Sequence, residues 1–167
     1  PTFTTDVGGY FDFVAPRTTP ELMTRWGQLA ALTPVMRVHN STANGQLHPH
    51  ELEGAHLDAW RRYSRLKQHL APLVDRLTRR AAQGRGIGPV LPLAVVDGSR
   101  LTRSVEDQWL LGRDLLVAPV LEPGAATRDV VLPRGRWRRA VVTAGGSGIG
   151  RTIAETLADN GAQVFVC

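Results

Sequence analysis

Thr33-Pro34-Val35-Met36-Arg37-Val38-His39 is the stretch on which the fold turns. Val35 to His39 has the length and β-branched content of a short strand. Thr33-Pro34 closes the segment before it, because proline disfavours helical backbone in the residue that precedes it. Upstream, Thr19-Pro20-Glu21 is a helix start, with Thr19 as cap and Pro20 at the first helical position. Leu22, Trp26, Leu29 and Ala30 then recur three or four residues apart, the spacing of one helix face. Further upstream, Thr4-Thr5-Asp6-Val7-Gly8-Gly9-Tyr10-Phe11 has the form of a strand end running into a glycine-rich loop. Beyond His39 a polar stretch from Asn40 to Leu52 holds His48, Pro49 and His50. It reads as a loop at a strand end, where function concentrates.

Leu57, Trp60, Tyr63, Leu66, Leu70, Leu73, Leu77 and Ala81 mark the stripe of a long amphipathic helix. Pro72 is expected to bend or break it, and Gly84, Gly86 and Gly88 end it. The basic character of the chain sits here. Net charge is +5, and between Trp60 and Arg85 eight basic residues face only Asp75. An arginine-flanked leucine stripe is expected to be a solvated helix face, so no nucleic-acid partner is assigned.

From Pro89 the texture changes. Pro89 to Val96, Leu115 to Leu121 and Asp129 to Leu132 are short apolar or alternating runs separated by Gly and Pro, a β-rich pattern. It changes again at Arg139-Ala140-Val141-Val142-Thr143, a strand of buried type. A glycine-rich loop from Ala144 to Gly150 follows, then Ile153, Leu157 and Ala158 on one helix face, and a second strand from Gln163 to Val166.

The 167 residues amount to about one domain and fall short of the roughly 250 residues of a complete eight-stranded β/α barrel. With one cysteine, Cys167, no internal disulfide forms, and the expected location is the cytoplasm. No apolar run reaches the length of a membrane span, so no membrane partner is assigned. His48 and His50 with Glu51 lack a third spaced ligand and are expected to be part of a solvated loop, with no metal bound.

Four stretches together carry a resemblance to the C-terminal part of glycoside hydrolase family 31, the α-glucosidase and α-xylosidase family. Thr5 to Tyr10 resembles its D-I-G-G-F loop, and Thr19 to Trp26 its T-x-E-L-x-x-R-W helix. Thr33 to His39 resembles S-P-x-x-R-x-H, and Asp107 to Val120 resembles D-Q-x-x-x-G-x-D-L-L-V-A-P-V. Tyr10 departs from the usual Phe. A second resemblance, confined to 139–167, is to the short-chain dehydrogenase/reductase opening T-G-x-x-x-G-I-G, with Ala144 at its first glycine.

These resemblances imply an α/β chain in three parts. Residues 1–90 would be the last strands and helices of a (β/α)8 barrel, 91–137 the start of a β-sandwich, and 138–167 a partial Rossmann βαβ unit. The implied parent activity is retaining hydrolysis of α-linked glycosides. His39 would hydrogen-bond sugar hydroxyls, Tyr10 would pack on the sugar ring, and Asp6 with Arg37 would hold loop and strand. Retaining hydrolysis needs two carboxyl groups about 5–5.5 Å apart. In the family both lie on earlier barrel strands, so no catalytic residue is assigned and the chain is expected to be inactive alone. Thr143, Gly145, Ser147, Gly148, Ile149 and Gly150 are the candidates for a dinucleotide pyrophosphate. NAD or NADP is the implied cofactor of that segment, although a half-unit is expected to hold it poorly. The glycosidase part needs no cofactor, and the oligomeric state is left open. A reductase fragment and a non-catalytic carbohydrate-binding module are the alternatives.

Overall fold

Strands β1 (Thr4–Val7) and β2 (Val35–Val38) run parallel, with Thr4 opposite Val35 and Asp6 opposite Arg37. A parallel pair cannot be closed by a tight turn and needs a crossover, usually helical. Helix α1 (Pro20–Ala31) supplies it. As the sequence predicts, Thr19 caps this helix, its Oγ1 accepting the Leu22 N–H at 3.2 Å, and Pro20 opens it. The computed structural model describes residues 4–9, 17–39, 47–135, 139–142 and 163–166, and it divides into two units, Phe3–Pro72 and Leu73–Cys167 with Pro1–Thr2. Tyr10, the loop from 143 to 150 and the expected helix after it lie outside the described residues.

In the first unit the core is built from Val7, Met23, Ala30, Leu47 and Leu52, with Trp26, Met36, Val38, Leu57 and Trp60 packed against it. The helix period is as expected, but the buried stripe is rotated. Met23, Gly27, Ala30 and Ala31 are buried, whereas Leu22 is 45% exposed. The reason is the close approach of helix α2 (Gly54–Ala82). A Cβ on Gly27 would stand 2.6 Å from Cζ3 of Trp60, so only glycine admits the indole there. The helix propensity given up, about 1 kcal/mol relative to alanine, is offset by that packing.

A second tie comes from the only lysine of the chain. Lys67 on α2 donates to the carbonyl oxygens of Thr33 and Pro34, the latter at 2.9 Å. These are carbonyls of the turn between α1 and β2, which no regular ladder satisfies. The partial burial this requires lowers the pKa of the ammonium.

Pro72 does not break α2, which runs unbroken through it. A proline removes a single ladder hydrogen bond, and the turns on either side keep theirs. All eight stripe residues from Leu57 to Ala81 are buried or half-buried, and Arg61, Arg62, Arg65, Arg76, Arg79, Arg80 and Arg85 are exposed. No described helix is long and apolar enough to cross a membrane.

The second unit holds a five-stranded sheet in the order β3 (Val90–Pro92), β4 (Trp109–Leu111), β5 (Leu115–Val117), β6 (Arg139–Val142), β7 (Gln163–Val166). The first three strands are antiparallel, whereas β6 is parallel to both β5 and β7. Its apolar cluster is Leu91, Leu93, Leu110 and Leu116. Gly112, at φ +71°, starts the turn from β4 to β5 and donates its N–H to the Pro89 carbonyl at 2.7 Å.

Two expected strands are corrected. Of Pro89–Val96 only Val90–Pro92 pairs, because β4 offers a partner of three residues and no ladder exists beyond it. The chain turns instead into the short helices α3 (Leu93–Val96) and α4 (Arg100–Arg103). Asp129–Leu132 joins no sheet. Its neighbour is a side chain. Gln108, only 3% exposed, donates Nε2–H to the Val131 carbonyl at 2.9 Å and accepts the Val131 N–H on Oε1 at 3.0 Å.

One carboxamide thus reproduces the two hydrogen bonds that a strand partner would make. Arg128 closes the arrangement, donating to the Pro119 carbonyl and pairing with Asp107, each at 2.8 Å. Gln108→Leu keeps the volume and strands both backbone groups of Val131. It is expected to cost about 2 kcal/mol, read as a lower urea midpoint with an unchanged slope.

Candidate functional site

The strand alternation sorts the side chains of the β1–β2 pair into two sets. Thr5 and Val7 turn towards α1: Trp26 Nε1 donates to Thr5 Oγ1 at 2.8 Å, and Val7 is fully buried. Met36 and Val38 join the same core. Asp6 and Arg37, and His39 immediately after β2, therefore belong to the opposite face. They stand at the carboxyl ends of parallel strands, where β/α folds place their sites.

The loop that leaves β1 is shaped by backbone needs. Gly8 and Gly9 have φ of +100° and +91°, a region that costs a residue with a Cβ about 1–2 kcal/mol. Gly9 N–H returns to the Asp6 carbonyl at 3.0 Å, and Thr18 Oγ1 donates to the Gly8 carbonyl at 3.0 Å. The His39 N–H reaches the Val7 carbonyl at 3.3 Å, so the ladder carries His39 to the tip of the pair.

Three of the four residues assigned from the sequence are brought together. Arg37 Nε donates to Asp6 Oδ1 at 2.5 Å, and His39 Nδ1 lies 4.0 Å from Asp6 Oδ2. Tyr10, the fourth, is outside the described residues. The hydrogen bond from Arg37, outweighing desolvation, holds the Asp6 carboxyl below the usual carboxylate range. A carboxylate held ionised by a guanidinium is a poor proton donor, so Asp6 suits an acceptor and positioning role. The face offers a carboxylate acceptor, a guanidinium donor and an imidazole side by side, the set a polyhydroxylated ligand requires.

The sequence reading missed what anchors this group. Trp26, Gly27 and Lys67 position α1 and the turn into β2, as described above. The R-W pair of the helix motif divides between two tasks, Arg25 reaching back to Glu21 at 2.7 Å and Trp26 gripping β1. An i,i+4 acid–base spacing was the available signal for the first; the second spans distant sequence and had none.

His48 and His50 stack with ring centroids 5.5 Å apart. Glu51 accepts the His48 N–H at 2.6 Å, closing the short 3-10 turn Pro49–Glu51, and that bond lowers its pKa. Among the described residues no group of His, Cys, Asp and Glu is placed to hold a metal ion. The dinucleotide candidates Thr143, Gly145, Ser147, Gly148, Ile149 and Gly150 are outside the described residues.

The Asp6–Arg37 pair makes a pH prediction. With its folded pKa below the unfolded value, Asp6 contributes stability that is present above the unfolded value. That contribution is lost as pH falls through the folded one. The side chain of Arg37 is 55% exposed, so the contribution is small and weakened by salt. In a carboxyl NMR titration Asp6 should titrate below the ordinary range near pH 4, and Arg37→Gln should bring its midpoint up towards that range.

Residues 1–77 match the glycosyl hydrolases family 31 TIM-barrel domain, and residues 90–166 match the glycosyl hydrolase family 31 C-terminal domain. The second match extends over β6 and β7. A sulfoquinovosidase of Agrobacterium fabrum is 36% identical over 137 residues, covering 79% of this chain and 20% of its own length. Human neutral alpha-glucosidase AB is 36% identical over 129 residues, covering 77% of this chain and 13% of its own. A solved structure, the Flavobacterium johnsoniae family 31 dextranase complexed with glucose, superposes with a TM-score of 0.69 at 33% identity. It covers 79% of this chain and 16% of that one. The chain thus spans about a fifth or less of the length of these relatives. Part of a TIM-barrel domain followed by a C-terminal domain, it belongs to glycosyl hydrolase family 31.

Proposed function

We propose that Asp6, Arg37 and His39, with Tyr10, form part of the substrate wall of a retaining α-glycosidase. The observation that carries this is the clustering of the first three on one face at the carboxyl ends of β1 and β2. His39 would bond the sugar hydroxyls and Tyr10 would cover its ring face. Asp6 and Arg37 would lock the D-V-G-G loop to β2. The nucleophile and the acid/base are assigned to barrel strands outside these 167 residues. Names of relatives frame the substrate: sulfoquinovosidases and an alpha-glucosidase are among them.

The 167 residues alone are expected to bind an α-glycoside without cleaving it. Aryl α-glucoside, α-xyloside and α-sulfoquinovoside assays should show no release above buffer. Saturation-transfer NMR should detect sugar contact that disappears in His39→Ala. Release of the aryl group that is lost on substituting a carboxylate of this chain would sink the proposal. Sugar binding that survives both His39→Ala and Tyr10→Ala would point instead to a non-catalytic carbohydrate-binding module.

We propose further that residues 139–167 are half of a dinucleotide-binding unit. The observation behind this reading is the parallel pairing of β6 with β7, from Arg139–Gln163 to Val142–Val166, since a parallel pair requires a crossover rather than a tight turn. Thr143, Gly145, Ser147, Gly148, Ile149 and Gly150 would turn backbone amides to a pyrophosphate. Lacking the rest of such a fold, the segment is expected to show no saturable NADH or NADPH fluorescence change. Saturable binding abolished by Gly148→Val would show a competent site.

A further inference from the structure

The last turn of α2, the glycine-rich turn after it and the β4–β5 hairpin enclose a pocket of 450 Å³ in the second unit. Three arginines, Arg80, Arg85 and Arg113, and one aspartate, Asp114, are among the residues that line it. None of these four charges forms an ion pair among the described residues, whereas neighbouring Arg79 is held by Asp75 at 2.9 Å. Arg80 lies in the final turn of α2 and part of its charge answers the helix dipole. Arg85 and Arg113 lie outside any helix and have no such partner. Cations gathered in a concavity raise the local potential and concentrate anions.

The pocket also has an apolar side. Leu77 and Leu91 line it, and Ile87 stands at its edge with 54% of its surface exposed. Ile87, Leu91 and Arg113 are shared with an adjoining cavity of 150 Å³ that Val95 and Val96 extend. Both of those valines are exposed as well. Gly86 and Gly88 leave one wall free of side chains. A planar guanidinium matches the oxygens of phosphate, sulfate or sulfonate in a bidentate fashion. An apolar shelf beside it fits a compact ring.

We propose that this pocket is a ligand site for a small organic oxyanion: a phosphate, sulfate or sulfonate group carried on a flat apolar body. Arg85 and Arg113 receive the oxyanion, Arg80 adds field, and Ile87 with Leu91 covers the body.

Phenyl phosphate and inorganic phosphate are the probes, titrated into the 15N-labelled full chain. Phenyl phosphate is expected to saturate near 1 mM, about 4 kcal/mol of binding, and to move the amides of Gly86, Gly88 and Gly112. Inorganic phosphate should bind roughly fivefold more weakly, about 1 kcal/mol. Arg85→Gln and Arg113→Gln should each weaken both probes by roughly fivefold or more. Ile87→Ser should weaken phenyl phosphate alone, and Arg62→Gln, at an exposed arginine that does not line the pocket, should change neither. The substituted side chains are exposed, so the spectrum of each variant should remain that of the folded chain. Shift changes spread over all the arginines of α2, binding that survives Arg85→Gln/Arg113→Gln, or no saturation by about 10 mM would overturn the site.

Discussion

Parallel pairing of β1 with β2 is the constraint from which the first unit follows. It obliges the chain to leave one strand end, travel back along the outside and re-enter beside its start. Helix α1 makes that journey and must bury one face against the pair. Thr5, Val7, Met36 and Val38 are consequently committed to the helix side. Asp6, Arg37 and His39 are left on the other, where a charged cluster displaces no apolar core. The cluster and the core are two faces of the same register, Asp6 against Arg37. A one-residue slip would exchange them.

Both units solve a shared problem by similar means. Where regular hydrogen bonding stops, a long polar side chain takes over the backbone groups. Lys67 does this for the carbonyls of Thr33 and Pro34, and Gln108 does it for both groups of Val131. Burying a donor-rich side chain is favourable only if it finds such partners. These two residues are thereby tied to single positions in the fold. The D-Q motif has its physical meaning here: Asp107 holds Arg128, and Gln108 stands in for a strand.

Much of this was legible because it is local. The cap at Thr19, the helix period, the positions of β1, β2, β6 and β7, and the solvated arginines of α2 depend on neighbouring residues and on alternation. The grouping of Asp6, Arg37 and His39 was legible only through resemblance. The failures share a cause in tertiary contact. The buried stripe of α1 rotates because Trp60 demands a glycine. Asp129–Leu132 stays out of the sheet because a glutamine already pairs it. Leu93–Val96 turns helical where its partner strand ends. Pro72 does not end α2, because the hydrogen bonds on either side outweigh the one it removes.

The order of elements, the caps and turns that bound them, the family and the residue types available for chemistry can all be read along the chain. Those follow from backbone preferences and spacing that act within a few residues. Which face of each element is buried, that Arg37 holds Asp6 ionised, and that Arg80, Arg85 and Arg113 line one pocket emerge from the folded arrangement. These are contacts between residues far apart in the chain. Their energies depend on distance and burial, quantities that exist only once the chain has folded.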